Sequence, residues 1–545
     1  MSVDLRFNNN DYKVEPGFSL FEYANLFGIQ IPTSCNKQGK CKECLVEINS
    51  GMENLSNRLI EEKHLENRFR LSCCTRIIKD GCSVSCHTMH RGKMRIENKS
   101  ELQNLNFHAQ KIEPSVKRKG DKIYLDTEQI DCSQLPIYGI ALDLGTTTVV
   151  IRLINLETGL VVADTAFENP QKFGGSDVMA RIHYDSIHKG KLLNKVLIGY
   201  LNHAIKELPV NPHSIYEMVI AGNSTMRDLF FRESVYSIGQ SPYQSVTEIE
   251  LINGSRTTTS ISKTAQELNI VINPKARVYG LPIISGHVGA DTAACMLALN
   301  IANEEKLVAI MDIGTNTELV LGNRNKIYAA SCPAGPAFEG GNISCGMPAL
   351  TGAIEKIKFL DNSSILLKVI DEVQAEGICG SGLVELLSEL LRTNRINSLG
   401  RFNNGANEII VYSDENKKIY LTENDISQLA QAKGANTAGL HTIFNNFGIE
   451  FNDVDYFYLA GAFGKYLDIE ASKRIGLIPD IENDKIKQVG NASIDGASIA
   501  LLSITKRKEI EELMKKVTHC RLETDPSFFH YFVEGCHFKS MESLK

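Results

Sequence analysis

The chain has 545 residues, enough for about three or four domains of ordinary size. Apolar residues at 43% and charged residues at 23% fit a folded globular protein and exclude a disordered one. The net charge of −7 gives no electrostatic footing for nucleic acid, and the lack of a membrane-length apolar run or an apolar leader predicts a cytoplasmic protein with no membrane partner.

Residues 1–90 read as a separate small domain. Val3–Phe7 alternates in polarity, Asn8 to Asn10 turn the chain, and residues 11–14 return it as a hairpin. Ser19 and Glu22 form the capping box of a helix that runs to Leu26. Cys35, Cys41 and Cys44 then lie on a loop containing Gly39, and Cys73 and Cys74 follow in the phrase RLSCC. Fourteen cysteines in a chain without a secretory leader are expected to be metal ligands and buried thiols rather than disulfides. Three clustered thiols and one distant thiol make the plant-type [2Fe–2S] layout, and the five-residue gap between Cys35 and Cys41 resembles the adrenodoxin-like branch of that ferredoxin family. A zinc site would use two paired knuckles, and only Cys41 and Cys44 make one. The phrase Arg70-Leu71-Ser72-Cys73 resembles the family's last-ligand segment and selects Cys73. Cys74 stays open as the alternative, because strand neighbours face opposite sides and only one of the two should reach a cluster. Cys82 and Cys86 are expected to be buried small hydrophobes.

Residues 91–137 change character. Arg91, Lys93, Arg95 and Lys99 stand among polar residues with little periodicity, and a charged turn follows at 117–121. This predicts a linker with one short strand near 123–125.

Residues 138–150, YGIALDLGTTTVV, read as a strand, a tight turn and a second strand. Gly145 lets backbone approach a phosphate, Thr146, Thr147 and Thr148 offer hydroxyls and N–H groups, and Asp143 offers a carboxylate to Mg²⁺. The pattern returns at 307–320, LVAIMDIGTNTELV, with Asp312, Gly314, Thr315, Asn316 and Thr317. Each copy is followed by a short turn and a third apolar run, which predicts two similar α/β lobes, 138–300 and 301–545. Within the first lobe, residues 169–177 form a loop, GNST at 222–225 opens a helix that Ser224 or Thr225 would cap, and 232–276 read as a polar, β-rich insert. Within the second, the Gly-rich turns at 331–341 and 377–382 predict close backbone approach to a ligand or partner. Cys332, Cys345 and Cys379 match no ligand spacing and are expected to be structural. Gly461 and Gly464 follow a strand, but the spacing is not that of a P-loop.

The two Asp-x-Gly-Thr hairpins, with the acid Asp291 on a Gly/Ala-rich stretch between them, resemble the actin, Hsp70 and sugar-kinase superfamily. That resemblance implies a two-lobed RNase H-like ATPase beside an N-terminal β-grasp ferredoxin-like domain, a multidomain chain of α/β and α+β class. The whole order of ferredoxin, linker and ATPase resembles the reductive activators of corrinoid proteins, on phrases such as NPQKFGGSDVMARI, AGNSTM, HVGADTAA, CPAGPAFEGG, GICGSGL and LAGAFGKYLD. The family activity is ATP-dependent reduction of an inactive Co(II) corrinoid to Co(I). The resemblance places a [2Fe–2S] cluster on Cys35, Cys41, Cys44 and Cys73, and ATP with Mg²⁺ at Asp143, Gly145, Thr146, Thr147, Asp312, Gly314, Thr315 and Asn316. It puts Gly461 and Gly464 near the adenosine and Asp291 in the connecting-helix position. The implied partners are a corrinoid protein (methyltransferase-associated or an iron-sulfur one) and an upstream electron donor, with a homodimer left open. Only Cys520 and Cys536 lie near the C-terminus, which disfavours the branch with added [4Fe–4S] clusters. Two other classes stay open: an activator of another low-potential enzyme of the acyl-CoA dehydratase type, and a nucleotide-sensing ferredoxin module that does not hydrolyse ATP.

Overall fold

The computed structural model describes residues 2–66, 68–89, 112–360, 364–415 and 417–542. The described residues up to 282, together with 497–507, form one unit, and the remainder form a second. No helix among the described residues is long and apolar enough to cross a membrane.

The first unit begins with a five-stranded sheet in the order Asn10–Val14, Val3–Phe7, Ser83–Thr88, Leu45–Ser50, Phe69–Leu71. Val3–Phe7 pairs antiparallel with the hairpin strand and parallel with Ser83–Thr88, the mixed pattern of a β-grasp. Alternation sends Val3, Leu5 and Phe7 into one core, where Leu20, Phe21 and Tyr23 of helix Leu20–Leu26 join them. The Ser19–Glu22 capping box is present and starts that helix. Cys86 is buried as expected, while Cys82 is partly exposed and its thiol bonds the Lys79 carbonyl.

Residues read from sequence as connector with one short strand form a three-stranded antiparallel sheet, Val116–Lys119, Lys122–Leu125 and Glu128–Cys132. Each strand buries a single apolar residue, Val116, Ile123 and Ile130. Polar ties hold it to the neighbouring lobe: Arg118 to Glu157 at 2.6 Å, Arg277 to Asp126 at 2.8 Å, and the Tyr216 hydroxyl donating to Asp131 at 2.8 Å. The earlier part of the expected linker, 90–111, lies outside the described residues.

The lobe that follows is a six-stranded sheet ordered Val161–Glu168, Thr148–Asn155, Tyr138–Leu144, Ile215–Gly222, Arg277–Gly280, Ile261–Thr264. Its first three strands are antiparallel, and Ile215–Gly222 runs parallel to Tyr138–Leu144. The segment 232–276 is not β-rich. It carries helices Val246–Ile252 and Ala265–Leu268 and one strand, which forms the sheet edge. Residues 497–507 complete this unit: Glu113 N–H bonds the Leu502 carbonyl at 2.8 Å, and Arg507 pairs with buried Glu217 at 2.9 Å.

The second unit repeats the scheme. Its six-stranded sheet runs Ile486–Gly490, Tyr456–Ala460, Val308–Ile313, Thr317–Asn323, Lys326–Cys332, Val517–His519. Again three antiparallel strands are joined by a parallel fourth, Tyr456–Ala460, on the same side. The 25-residue helix Glu423–Phe447 and helix Gly380–Arg392 bury Leu429, Leu440, Leu383 and Leu387 in one core with Met311 and Leu319.

Candidate functional site

The thiol loop is shaped by left-handed backbone at Asn36, Lys37, Gly39 and Lys42. Runs of such turns point successive N–H groups inward and suit anionic guests, iron–sulfur clusters included. Burial opposes ionisation of the Cys35 thiol, but the Cys41 N–H and thiol and the N–H groups of Gln38 and Lys40 outweigh it and hold Cys35 below the ordinary cysteine range. Cys44 Sγ lies 3.3 Å from Cys73 Sγ, and Cys73 Sγ lies 3.7 Å from Cys74 Sγ. The hydrogen bond with Cys44 is the first cause that pushes the Cys73 thiol up to about 12. Such crowded thiols keep their protons until a metal displaces them. A Cβ on Gly39 would stand 2.7 Å from Cys74 Sγ, so only glycine closes the loop here. The segment carrying Cys73 is anchored by a buried ion pair, Arg70 Nε to Glu62 Oε1 at 2.8 Å, and the same Glu62 oxygen accepts from Leu71 N–H at 2.9 Å. The four expected cluster thiols stand as two pairs, Cys35 with Cys41 and Cys44 with Cys73, and among the described residues no three His, Cys, Asp or Glu side chains make a ready metal site. N–H groups directed at sulfur, on a loop tight enough to demand glycine, fit a [2Fe–2S] cluster.

In the first hairpin, Asp143 pairs across from Val150, and Gly145 N–H closes the turn on the Thr148 carbonyl at 3.0 Å. The turn is clamped from behind. Arg181, fully buried, donates to the Thr146 carbonyl at 2.7 Å and to the Gly175 carbonyl at 3.0 Å. Asn169 Nδ2 donates to the Gly145 carbonyl at 2.9 Å, and Asn223 Nδ2 to the Thr146 hydroxyl at 3.0 Å. Thr146 is therefore buried, whereas Asp143, Gly145, Thr147 and Thr148 remain half-buried. The cap of helix Ser224–Phe231 is Asn223, not Ser224 or Thr225: its Oδ1 accepts from Met226 N–H at 2.9 Å.

In the second hairpin, Asp312 pairs directly with Glu318. Glu318 is buried, and burial first, then the Asp291 and Asp312 carboxylates, raise its carboxyl well above the usual range. Ser331 donates to it at 3.3 Å. Asp291 and Asp312 thus lie within electrostatic reach of Glu318, and carboxylates are the ligand type that a hard divalent cation takes. The Cys295 thiol donates to Asp312 Oδ2 at 3.4 Å. Asp291 sits in the first turn of helix Ala290–Ala298 and accepts from Thr292 N–H at 2.7 Å; the N-cap is Gly289. The buried Thr315 hydroxyl donates to Glu339, and Gly314 and Asn316 shape the turn, Gly314 N–H meeting the Asn316 carbonyl at 3.2 Å. A Cβ on Gly461 would stand 2.6 Å from Asp312 Oδ1. Gly464 is buried, and Gln488 Nε2 donates to its carbonyl at 2.8 Å. The two Gly-rich turns approach each other: a Cβ on Gly380 would stand 2.0 Å from the Phe338 carbonyl oxygen. Cys332 and Cys379 are buried and Cys345 is half-buried.

Residues 8–77 match the 2Fe-2S iron-sulfur cluster binding domain, 138–304 the RACo middle region, and 306–544 the C-terminal domain of RACo, the ASKHA domain. The chain is 33% identical over 431 residues to the corrinoid activation enzyme RamQ of Eubacterium limosum, across 74% of this chain and 70% of that one. The chain belongs to the corrinoid activators. It is also 26% identical over 420 residues to the [Co(II) methylated amine-specific corrinoid protein] reductase of Methanosarcina barkeri, across 73% of this chain and 76% of that one. A solved reductive activator for corrinoid,iron-sulfur protein superposes with a TM-score of 0.71 at 27% identity, over 99% of this chain and 98% of that one. This corrinoid activator joins a [2Fe–2S] cluster-binding domain to an ATP-binding ASKHA domain.

Sequence reasoning on this activator missed Arg181, Glu318 and Glu339. Glu318 had a local signal, since it directly follows the DIGTNT turn. Arg181 and Glu339 had none, because each acts on a loop 35 or 24 residues away.

Proposed function

We propose that this chain uses ATP to return a corrinoid protein from Co(II) to Co(I), passing one electron through the [2Fe–2S] cluster. The carrying observation is a thiol loop shaped for a cluster in the same chain as two acid-bearing phosphate hairpins. Cys35, Cys41, Cys44 and Cys73 hold the cluster, which supplies a one-electron donor near about −400 mV. Asp143 and Asp312, with Asp291, hold Mg²⁺ or its waters; the N–H groups and hydroxyls of residues 145–147 and 314–316 bind phosphates; Gly461 and Gly464 lie toward the adenosine. An upstream donor reloads the cluster.

A resting Co(II) corrinoid is harder to reduce than such a cluster is to oxidise, and each 59 mV of mismatch costs about tenfold for one electron. ATP closes that gap by favouring one conformation of the complex over another, and the nucleotide need not lie on the electron path. The test is stopped-flow spectroscopy of the cobalt centre. Pre-reduced chain should reduce an easy acceptor at full rate without nucleotide, yet yield Co(I) only with MgATP, and the corrinoid protein should raise ATP turnover. Equal Co(I) yield with and without MgATP refutes the coupling.

A further inference from the structure

Helix Leu192–Lys206 of the first lobe lies against the thiol loop. A Cβ on its Gly199 would stand 2.5 Å from Glu43 Cγ, beside the ligand candidate Cys44. The next residue, Tyr200, is 4% exposed, and its hydroxyl is fully buried with no hydrogen-bond partner. Its ring packs beside Phe167 at 6.2 Å between centroids, a role that phenylalanine would serve equally well. A buried phenol normally finds an acceptor. Burial foremost, and then Cys44, Glu43, Glu168 and Cys41 in that order, keep its proton on. Tyr200 is thus a donor without an acceptor, held among the groups that flank the cluster thiols, and Cys44 is fully buried there.

We propose that Tyr200, a residue of the first lobe, donates a hydrogen bond to the cluster-bound sulfur of Cys44 and so raises the reduction potential of the [2Fe–2S] cluster. Hydrogen bonds to cluster sulfurs favour the more negative, reduced state. Tyr200 acts as a positioning residue through Cys44 and touches neither substrate nor nucleotide. This rests on the reading of Cys44 as a cluster ligand.

The experiment is an EPR-monitored redox titration of the full-length, cluster-loaded chain and its Tyr200→Phe variant, with iron content measured on both. The variant should keep its iron and, at the parent's midpoint, show a reduced-to-oxidised ratio about tenfold lower, a shift of about 59 mV to more negative potential. Resonance Raman spectra should show an iron–thiolate stretch that moves in D₂O for the parent and not for the variant. The cluster-free variant should unfold no lower than the cluster-free parent, because the hydroxyl has no partner there to lose. An unchanged midpoint in an iron-replete variant overturns the role of Tyr200. A parent without a [2Fe–2S] cluster, or a Cys44→Ser variant with an unaltered cluster spectrum, overturns the ligand reading and the proposal with it.

Discussion

Gly461→Ala strikes the second hairpin without touching its acids. Gly461 has φ +83°, and its added Cβ would stand 2.6 Å from Asp312 Oδ1 and 3.1 Å from the Ile313 carbonyl oxygen. Ordinary contact begins at 3.4 Å, so the carboxylate must retreat by 3.4 − 2.6, about 0.8 Å. Left-handed backbone adds about 1–2 kcal/mol of strain for a residue with a Cβ. A displacement on the order of 1 Å at a reacting centre costs about 10²-fold in rate. ATP turnover should therefore fall about 10²-fold, while iron content and the visible spectrum of the cluster stay unchanged, because the thiol loop belongs to the other unit. Gly448→Ala separates strain from collision: its φ is +91° and nothing lies within 4 Å of the new Cβ. It should lose similar stability and keep its turnover. Parental turnover in Gly461→Ala, or an equal loss in Gly448→Ala, would refute the placement of Asp312 at the nucleotide.

Asp143→Ala and Asp312→Ala should each abolish ATP turnover and leave the cluster spectrum intact; residual hydrolysis in both would move the metal site elsewhere. Cys73→Ser should lose or alter the cluster while Cys74→Ser keeps it, read by iron content and EPR, because Cys73 is the thiol next to Cys44. Acid should release the cluster through Glu62. Burial raises its carboxyl, but the Arg70 bond and the Leu71 and Leu59 N–H groups outweigh that and hold it below the ordinary 4.5. A depressed carboxyl stabilises the fold above its unfolded value, and that stability is lost as pH falls below about 4.5 through the folded value. Visible absorbance against pH should thus be flat above that point, and a fall at neutral pH would contradict it.

What was legible in sequence was local. Each Asp-x-Gly-Thr hairpin carries its strands, glycine and acid within about fourteen residues, and the thiol loop and the Ser19 capping box are equally compact. What was not legible needed distant partners. The sheet at 116–132 buries one apolar side chain per strand, too few for an alternation to show, and is held by Glu157, Arg277 and Tyr216 from elsewhere in the chain. The glycines at 340 and 380 read as room for a ligand, but they make room for neighbouring backbone. Tyr200 carried no signal in the sequence, and its buried, unpartnered hydroxyl shows in the structure.

The Arg507–Glu217 pair bears on how the protein is made. Glu217 is fully buried on the central strand of the first unit, and one of its two arginine partners lies 290 residues further along the chain. Domains tend to fold as the ribosome releases them, N-terminal first. Here the first unit waits with Glu217 lacking one of its two arginine partners until nearly the whole polypeptide has emerged. Nascent chains stalled before residue 497 should hold that lobe open to proteases and chaperones, and release past Arg507 should close it.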